Sequence, residues 1–130
     1  MKKREQKLHD IFDSLKRCVE ALVVSANTPI LEKRDLSGII KDFELAYELA
    51  WKSLKAKLDY EGHETSSARN VFVKAFSLGI IADENIWLEM IDDRNLTVHA
   101  YDAAFAKKMC ERIKKEYLPL FIKLTEIAKI

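Results

Sequence analysis

Apolar residues recur at intervals of three and four along nearly the whole chain, the period of an amphipathic helix, and only three glycines and two prolines punctuate it. This pattern predicts long helices and argues against a sheet. Leu8, Ile11, Phe12, Leu15, Val19 and Leu22 form one stripe and predict a first helix over residues 3 to 26, ending in the loop Asn27-Thr28-Pro29. Asp35 is the expected cap of a second helix, whose Leu36, Ile40, Phe43, Tyr47, Ala50 and Leu54 step by four and three until Gly62 stops it.

A third, shorter helix starts from Ser66 or Ser67, turns Val71, Phe72, Ala75 and Phe76 inward and finishes at Gly79. Asp83 is the expected cap of a fourth, with Ile86, Trp87, Met90 and Ile91 on its buried side. The last helix runs from about Asp102 through Phe105, Met109, Ile113, Leu120, Leu124 and Ile127. Pro119 removes one of its backbone hydrogen bonds and crowds the preceding turn, which predicts a kink or a restart near Tyr117. The order long, long, short, short, long predicts an all-α, up-and-down bundle of about five helices.

The 130 residues, 48% of them hydrophobic, suffice for one core and are too few for two ordinary domains, so a single domain over 1–130 is expected. A net charge of +1, from 22 basic and 21 acidic residues, argues against a surface that grips nucleic acid as a whole. Any RNA contact must come from a local patch. Lys107, Lys108, Arg112, Lys114 and Lys115, diluted by Glu111 and Glu116, fit either such a patch or a solvated helix face.

Cys18 and Cys110 are far apart and belong to no Cys-x-x-Cys or Cys/His set, so reduced thiols and no zinc site are expected. The charged start Met1-Lys2-Lys3-Arg4 leads into an interrupted amphipathic pattern rather than an apolar run. Neither a signal peptide nor a membrane span is expected, and a cytoplasmic location follows as the simplest reading.

The most informative stretch is Asp93-Arg94-Asn95-Leu96-Thr97-Val98-His99-Ala100-Tyr101, which combines a guanidinium, an imidazole and a phenol, groups that hold phosphates and move protons. On one straight helix, five residues place His99 about 140° around from Arg94, so the two cannot converge. A single cluster therefore needs the helix to end or bend near Thr97-Val98, with Asp102 as a fresh cap, or two copies of the motif meeting across a dimer. Asn95, four residues before His99, is placed to orient the imidazole.

A bland alternative has Arg94 paired with a buried carboxylate, His99 bonded to a backbone carbonyl and Tyr101 in the core. Asp92 and Asp93 are near Arg94 in sequence, and Glu44 is a further partner for it across the bundle. Glu44, Glu48 and Lys52, each four apart, also fit a solvated charged face. Trp51 and Trp87 each fit an inward stripe.

The motif keeps company with Phe43-Glu44-Leu45-Ala46-Tyr47-Glu48-Leu49-Ala50-Trp51-Lys52, with Ser67-Ala68-Arg69-Asn70-Val71-Phe72 leading to Ala75-Phe76, and with Gly79-Ile80-Ile81 before Trp87-Leu88. In that order, over roughly residues 5 to 125, the chain resembles the nucleotidyltransferase substrate-binding proteins of the HEPN superfamily. The resemblance implies a helical bundle, usually a homodimer, that pairs with a minimal nucleotidyltransferase. It further implies either a metal-independent ribonuclease, silenced when the transferase adenylylates a tyrosine, or a non-catalytic subunit presenting substrate or nucleotide to that enzyme.

On this chain Arg94, His99 and Asn95 would be catalytic, Tyr101 would be the modified residue, and Asp93, Glu44 and Asp102 would support them. No metal and no cofactor of its own is implied, since ATP would be used by the partner. Cleavage would leave a 2′,3′-cyclic phosphate.

Overall fold

The computed structural model describes residues 3–127, and within them the chain is helical with no strand. Its elements are α1 (Lys3–Asn27), α2 (Lys33–Tyr60), α3 (Ala68–Ser77), α4 (Glu84–Leu96), a 3-10 turn (Thr97–His99), α5 (Ala103–Arg112), a π turn (Ile113–Tyr117) and α6 (Leu118–Glu126). Because the π turn joins α5 to α6 without a break, the architecture is five helical rods, the last of them altered part-way along. The two long rods, α1 and α2, pack against each other; α5 and α6 cover them, and α3 and α4 close one side. Leu15, Leu22, Phe43, Leu54, Leu58, Phe72, Ile113 and Phe121 are among the residues that this arrangement removes wholly from solvent.

The ends of the helices show where local chemistry differs from the sequence reading. Asp35 is not the residue at the N-terminal boundary of α2: the helix starts two positions earlier, after Glu32. Asp35 instead reaches back, its Oδ2 accepting from the backbone N–H groups of Leu31 (2.9 Å) and Glu32 (3.0 Å). Those two bonds satisfy donors that the first turn leaves unpaired, and they hold the Asp35 carboxyl below its usual range. Asp83 does precede α4, but its side chain caps nothing; it adopts a left-handed backbone (φ 58°) and its carbonyl accepts from Ile86 and Trp87.

Phe76 is also not inward. α3 buries Val71, Phe72 and Ala75, while Phe76, at the margin of that face in the last turn, remains 45% exposed. Ser67 caps α3 as expected, its Oγ accepting from the N–H of Asn70 at 3.2 Å. Gly62 and Gly79 sit at the helix ends with φ of +89° and +74°, conformations that favour a residue without Cβ.

Pro119 acts one turn earlier than its own position. It has no N–H for the carbonyl four residues back, and the preceding turn widens so that the N–H of Leu118 reaches the carbonyl of Ile113. The restart expected near Tyr117 is therefore a π turn with α6 resuming at Leu118.

Cys110 is buried and its Sγ lies 3.4 Å from the carbonyl of Leu36. Burial pushes its thiol up to about 11. Cys18 is partly buried.

Tyr47, buried among Phe43 and Phe72, is pushed up to about 12, by burial first and by the charge of Glu48 second. Tyr117 is raised as well, by burial and by its bond to the Asp93 carboxylate. A phenol raised in the folded state contributes fully below its unfolded pKa of about 10, and that contribution is lost as pH climbs from there towards the folded value. Urea unfolding midpoints are thus expected to fall above about pH 10, at up to about 1.4 kcal/mol per pH unit for each such group. Tyr47→Phe should remove its share of that slope; an unchanged slope would refute the assignment.

Candidate functional site

The buried stripe of α4 starts apolar, with Trp87 and Met90, and turns polar with Asp93, followed by Thr97 just beyond the helix. Ser53, Asp93 and Thr97 are the buried polar or charged residues among those described, so two of the three bracket Arg94. A buried polar group costs free energy unless it is hydrogen-bonded, and both of these are.

Arg94, in the last turn of α4, directs its guanidinium towards α2. Its Nη1 lies 3.0 Å from Glu44 Oε2 and donates to Thr97 Oγ1 at 3.1 Å. The Thr97 hydroxyl is in turn 2.9 Å from Glu44 Oε2 and 2.7 Å from the carbonyl of Arg94; its single proton serves one of them at a time. The Nε of Arg94 is buried and has no hydrogen-bond partner among the described residues. Of the two alternatives for Glu44, the pairing with Arg94 is the one observed, with the ionic side chains 26% and 30% exposed. Glu48 takes the solvated role, 3.7 Å from Lys52 and bonded to Nε1 of Trp51.

Asp93 does not pair with Arg94, because adjacent residues project about 100° apart on a helix. Its carboxylate accepts from the Tyr117 hydroxyl and lies 3.2 Å from Arg112 Nε. Arg112 also reaches Glu89 (2.7 Å) and Glu116 (2.9 Å). The basic run is correspondingly smaller than the sequence suggests: Lys107, Lys108, Lys114 and Lys115 are exposed, whereas Arg112 is spent on carboxylates.

The helix ends near Thr97-Val98, one of the two arrangements that the spacing of the motif left open. α4 stops at Leu96 and the chain tightens into the 3-10 turn, after which Asp102 caps α5 by accepting from the N–H of Phe105 at 3.1 Å. The tightening also undoes one expectation. Asn95 and His99 are no longer one α-turn apart, and among the described residues no hydrogen bond joins them; Asn95 is exposed.

His99 is exposed too. Its ring meets the edges or faces of Tyr101 and Phe105, each 6.1 Å away between centroids, and neither ring nitrogen has a hydrogen-bond partner among the described residues. Tyr101 is 72% exposed, so it is not a core residue. Its carbonyl accepts from Lys33 Nζ at 2.7 Å, which ties the bend to the start of α2.

The structure thus brings together Glu44, Arg94 and Thr97 in one group, and His99, Tyr101 and Phe105 in a second on the same bend. Leu96, Val98 and Tyr101, all within this short segment, are 43%, 69% and 72% exposed. Sequence reasoning missed Thr97 as a ligand of Arg94 and Glu44, although its position three after Arg94 is a usable signal. It missed the contributions of Lys33, Arg112 and Tyr117, which come from distant parts of the chain and leave no local trace. Among the described residues no helix is long and apolar enough to cross a membrane.

Residues 6–129 match the family described as nucleotidyltransferase substrate binding protein like. A protein of Haemophilus influenzae named Probable ribonuclease HepT is 31% identical over 78 residues, which cover 56% of this chain and 53% of that protein. The match thus spans about half the length of that relative. Among solved structures, a crystal structure of a Thermus thermophilus protein superposes with a TM-score of 0.74 at 30% identity, covering 88% of this chain and 94% of the other. A Haemophilus influenzae structure, described as the fold of a substrate binding domain of a nucleotidyltransferase, gives a TM-score of 0.69 at 26% identity over 95% and 98% of the two chains.

Proposed function

The chain belongs to the nucleotidyltransferase substrate binding protein like family, and from that membership we propose that it is the helical subunit of a two-component system whose other member is a minimal nucleotidyltransferase. In this reading the chain is a metal-independent endoribonuclease, cytoplasmic and active as a homodimer, and the transferase silences it by adenylylating Tyr101. The observation that carries the reading is the division of labour at the bend: Arg94 is held by Glu44 and Thr97, while the imidazole of His99 is open to solvent a few residues on.

An imidazole is the side chain that ordinarily titrates near neutrality. His99 takes the proton from a ribose 2′-hydroxyl, whose oxygen attacks the adjacent phosphorus; the bond to the 5′-oxygen breaks and a 2′,3′-cyclic phosphate remains. The departing 5′-oxygen needs a proton, and the His99 of a second copy supplies it, since one imidazole is poorly suited to be base and acid in the same step. Arg94 stabilises the negative charge that builds on the phosphoryl oxygens. The exposed Leu96, Val98 and Tyr101 give a second copy an apolar surface to cover beside the same residues.

In the silencing step the Tyr101 phenol oxygen attacks the α-phosphorus of ATP, diphosphate leaves, and the phenol proton passes to a base of the transferase. An exposed phenol is accessible to such an enzyme, and the adduct puts a bulky anionic nucleotide beside His99. A second reading, a non-catalytic subunit that docks a nucleotide or acceptor for the transferase, is favoured by the near-neutral charge of +1.

Expression of the chain alone and together with its transferase separates the two. Growth arrest that the transferase relieves, with one AMP added at Tyr101, is the expected outcome. A stable complex with no growth arrest and no modification favours the docking subunit.

A further inference from the structure

We propose that Tyr117 and Arg112, acting through Asp93, are positioning residues that fix the last turn of α4 and with it the direction of the Arg94 guanidinium. The proposal rests on the reading of Arg94 as the group that holds the phosphate, and it deepens that reading by naming what holds Arg94's backbone.

The first ground is the composition of the stripe. Trp87, Met90 and Asp93 occupy successive inward positions of α4, and a leucine or methionine at the third would anchor the turn without the cost of burying a carboxylate. What a carboxylate adds is direction, because each of its bonds has a preferred geometry that apolar packing lacks. Here the directional bond comes from the Tyr117 hydroxyl, wholly removed from solvent, and the Arg112 guanidinium stands beside the same carboxylate as its ion-pair partner, with Nε 3.2 Å away.

The second ground is that Arg112 grips α4 twice. It donates to Glu89 from Nη2 (2.7 Å) and forms an ion pair with Asp93, its Nε 3.2 Å from that carboxylate, and residues four apart lie on one face of a helix. Two attachments a turn apart resist rotation of α4 about its axis, the motion that would swing Arg94 away from Glu44. The hydrogen bond from Arg112 Nε to Glu116 (2.9 Å) and its guanidinium over the Tyr117 ring, 5.6 Å from the centroid, hold Arg112 itself in place.

The third ground is that the contacts close a circuit. Tyr117 stacks on Phe43 with ring centroids 5.6 Å apart and planes 20° from parallel, and Phe43 is followed directly by Glu44. Glu44 binds Arg94, Arg94 follows Asp93, and Asp93 returns to Tyr117. One aromatic pair therefore sets the spacing of both carboxylates that flank Arg94. The π turn Ile113–Tyr117 lies at the closing point of this circuit, and such turns are enriched at functional sites.

Tyr117→Phe keeps the ring and removes only the hydroxyl. We expect it to lower kcat for cleavage of single-stranded RNA about tenfold or more, with KM changed less than about twofold, since a small misplacement of a charge-stabilising group acts on the chemical step. Added to Arg94→Ala it should cost nothing further, because its effect passes through Arg94. The Nε–H cross-peak of Arg94 in a nitrogen-15 spectrum should shift or broaden, with faster exchange with water.

Unchanged kcat together with an unchanged Arg94 cross-peak would overturn the proposal, as would a full additional loss in the double variant. If the wild-type chain cleaves no RNA, the functional reading fails on its own, and the cross-peak then decides the positioning role: altered supports it, unaltered overturns it. Should Tyr117→Phe fail to fold, Arg112→Lys gives the same test, since it keeps a charge but loses the two-pronged grip on Glu89 and Asp93.

Discussion

Replacing His99 with alanine is expected to lower the rate of RNA cleavage by about 10²- to 10⁴-fold, the usual contribution of a positioned acid or base, while the melting temperature stays within about 1–2 °C of the parent. The two halves of this expectation have separate causes. His99 is exposed, its ring meets those of Tyr101 and Phe105, and neither ring nitrogen has a hydrogen-bond partner among the described residues, so removing it leaves the core intact and orphans no buried partner there. The proton transfers, by contrast, have no substitute in the neighbouring Asn95 and Thr97, whose amide and hydroxyl are not acid–base groups near neutral pH. A His99→Ala protein that retained cleavage would show that the imidazole is a bystander.

The second large effect falls on stability. Phe43→Ala is expected to cost about 3–5 kcal/mol, which for a domain of this size lowers the melting temperature on the order of 10–20 °C. Phe43 is wholly buried at the centre of an aromatic cluster, within 5.6 Å of Tyr117, 6.1 Å of Phe121 and 6.4 Å of Tyr47 between centroids. Alanine would leave a cavity where α2 meets the rod that contains α5 and α6, and those elements carry Glu44 and the Tyr117–Arg112 pair. We therefore expect whatever activity survives at low temperature to be reduced as well. Denaturant unfolding followed by circular dichroism checks the first part, and a loss below about 1 kcal/mol would mean that the cluster repacks without strain.

The bundle was legible in the sequence because its signals are local. Helical spacing marked every rod, Gly62 and Gly79 marked two stops, and Asp102 marked the cap after the bend. The misreadings were at boundaries and margins. Asp35 looks like a cap but sits three places into the capping arrangement, since a carboxylate can reach back to the same N–H groups from there. Phe76 matches the period of α3, yet period alone does not say how wide the covered face is at the last turn.

The candidate site was legible as a set of residue types and only partly as a geometry. Spacing showed that Arg94 and His99 could not share one helix face; the 3-10 turn at Thr97–His99 is one of the two arrangements this left open, and it leaves the guanidinium with Glu44 and Thr97 and the imidazole with Tyr101 and Phe105. Spacing could not choose a partner for Arg94 between Glu44, about fifty residues away, and Asp93 beside it, because that choice is made by how α2, α4 and the last rod cross. The same crossing recruits Tyr117 and Arg112, which no pattern in the sequence links to the motif.

If the bend after α4 is a metal-independent RNA-cleaving site, the chemistry of the RNA ends must show it. Purified chain incubated with single-stranded RNA in excess chelator should give fragments with 5′-hydroxyl and 2′,3′-cyclic phosphate ends. RNA that stays intact, or fragments carrying 5′-phosphate and 3′-hydroxyl ends, would rule the mechanism out.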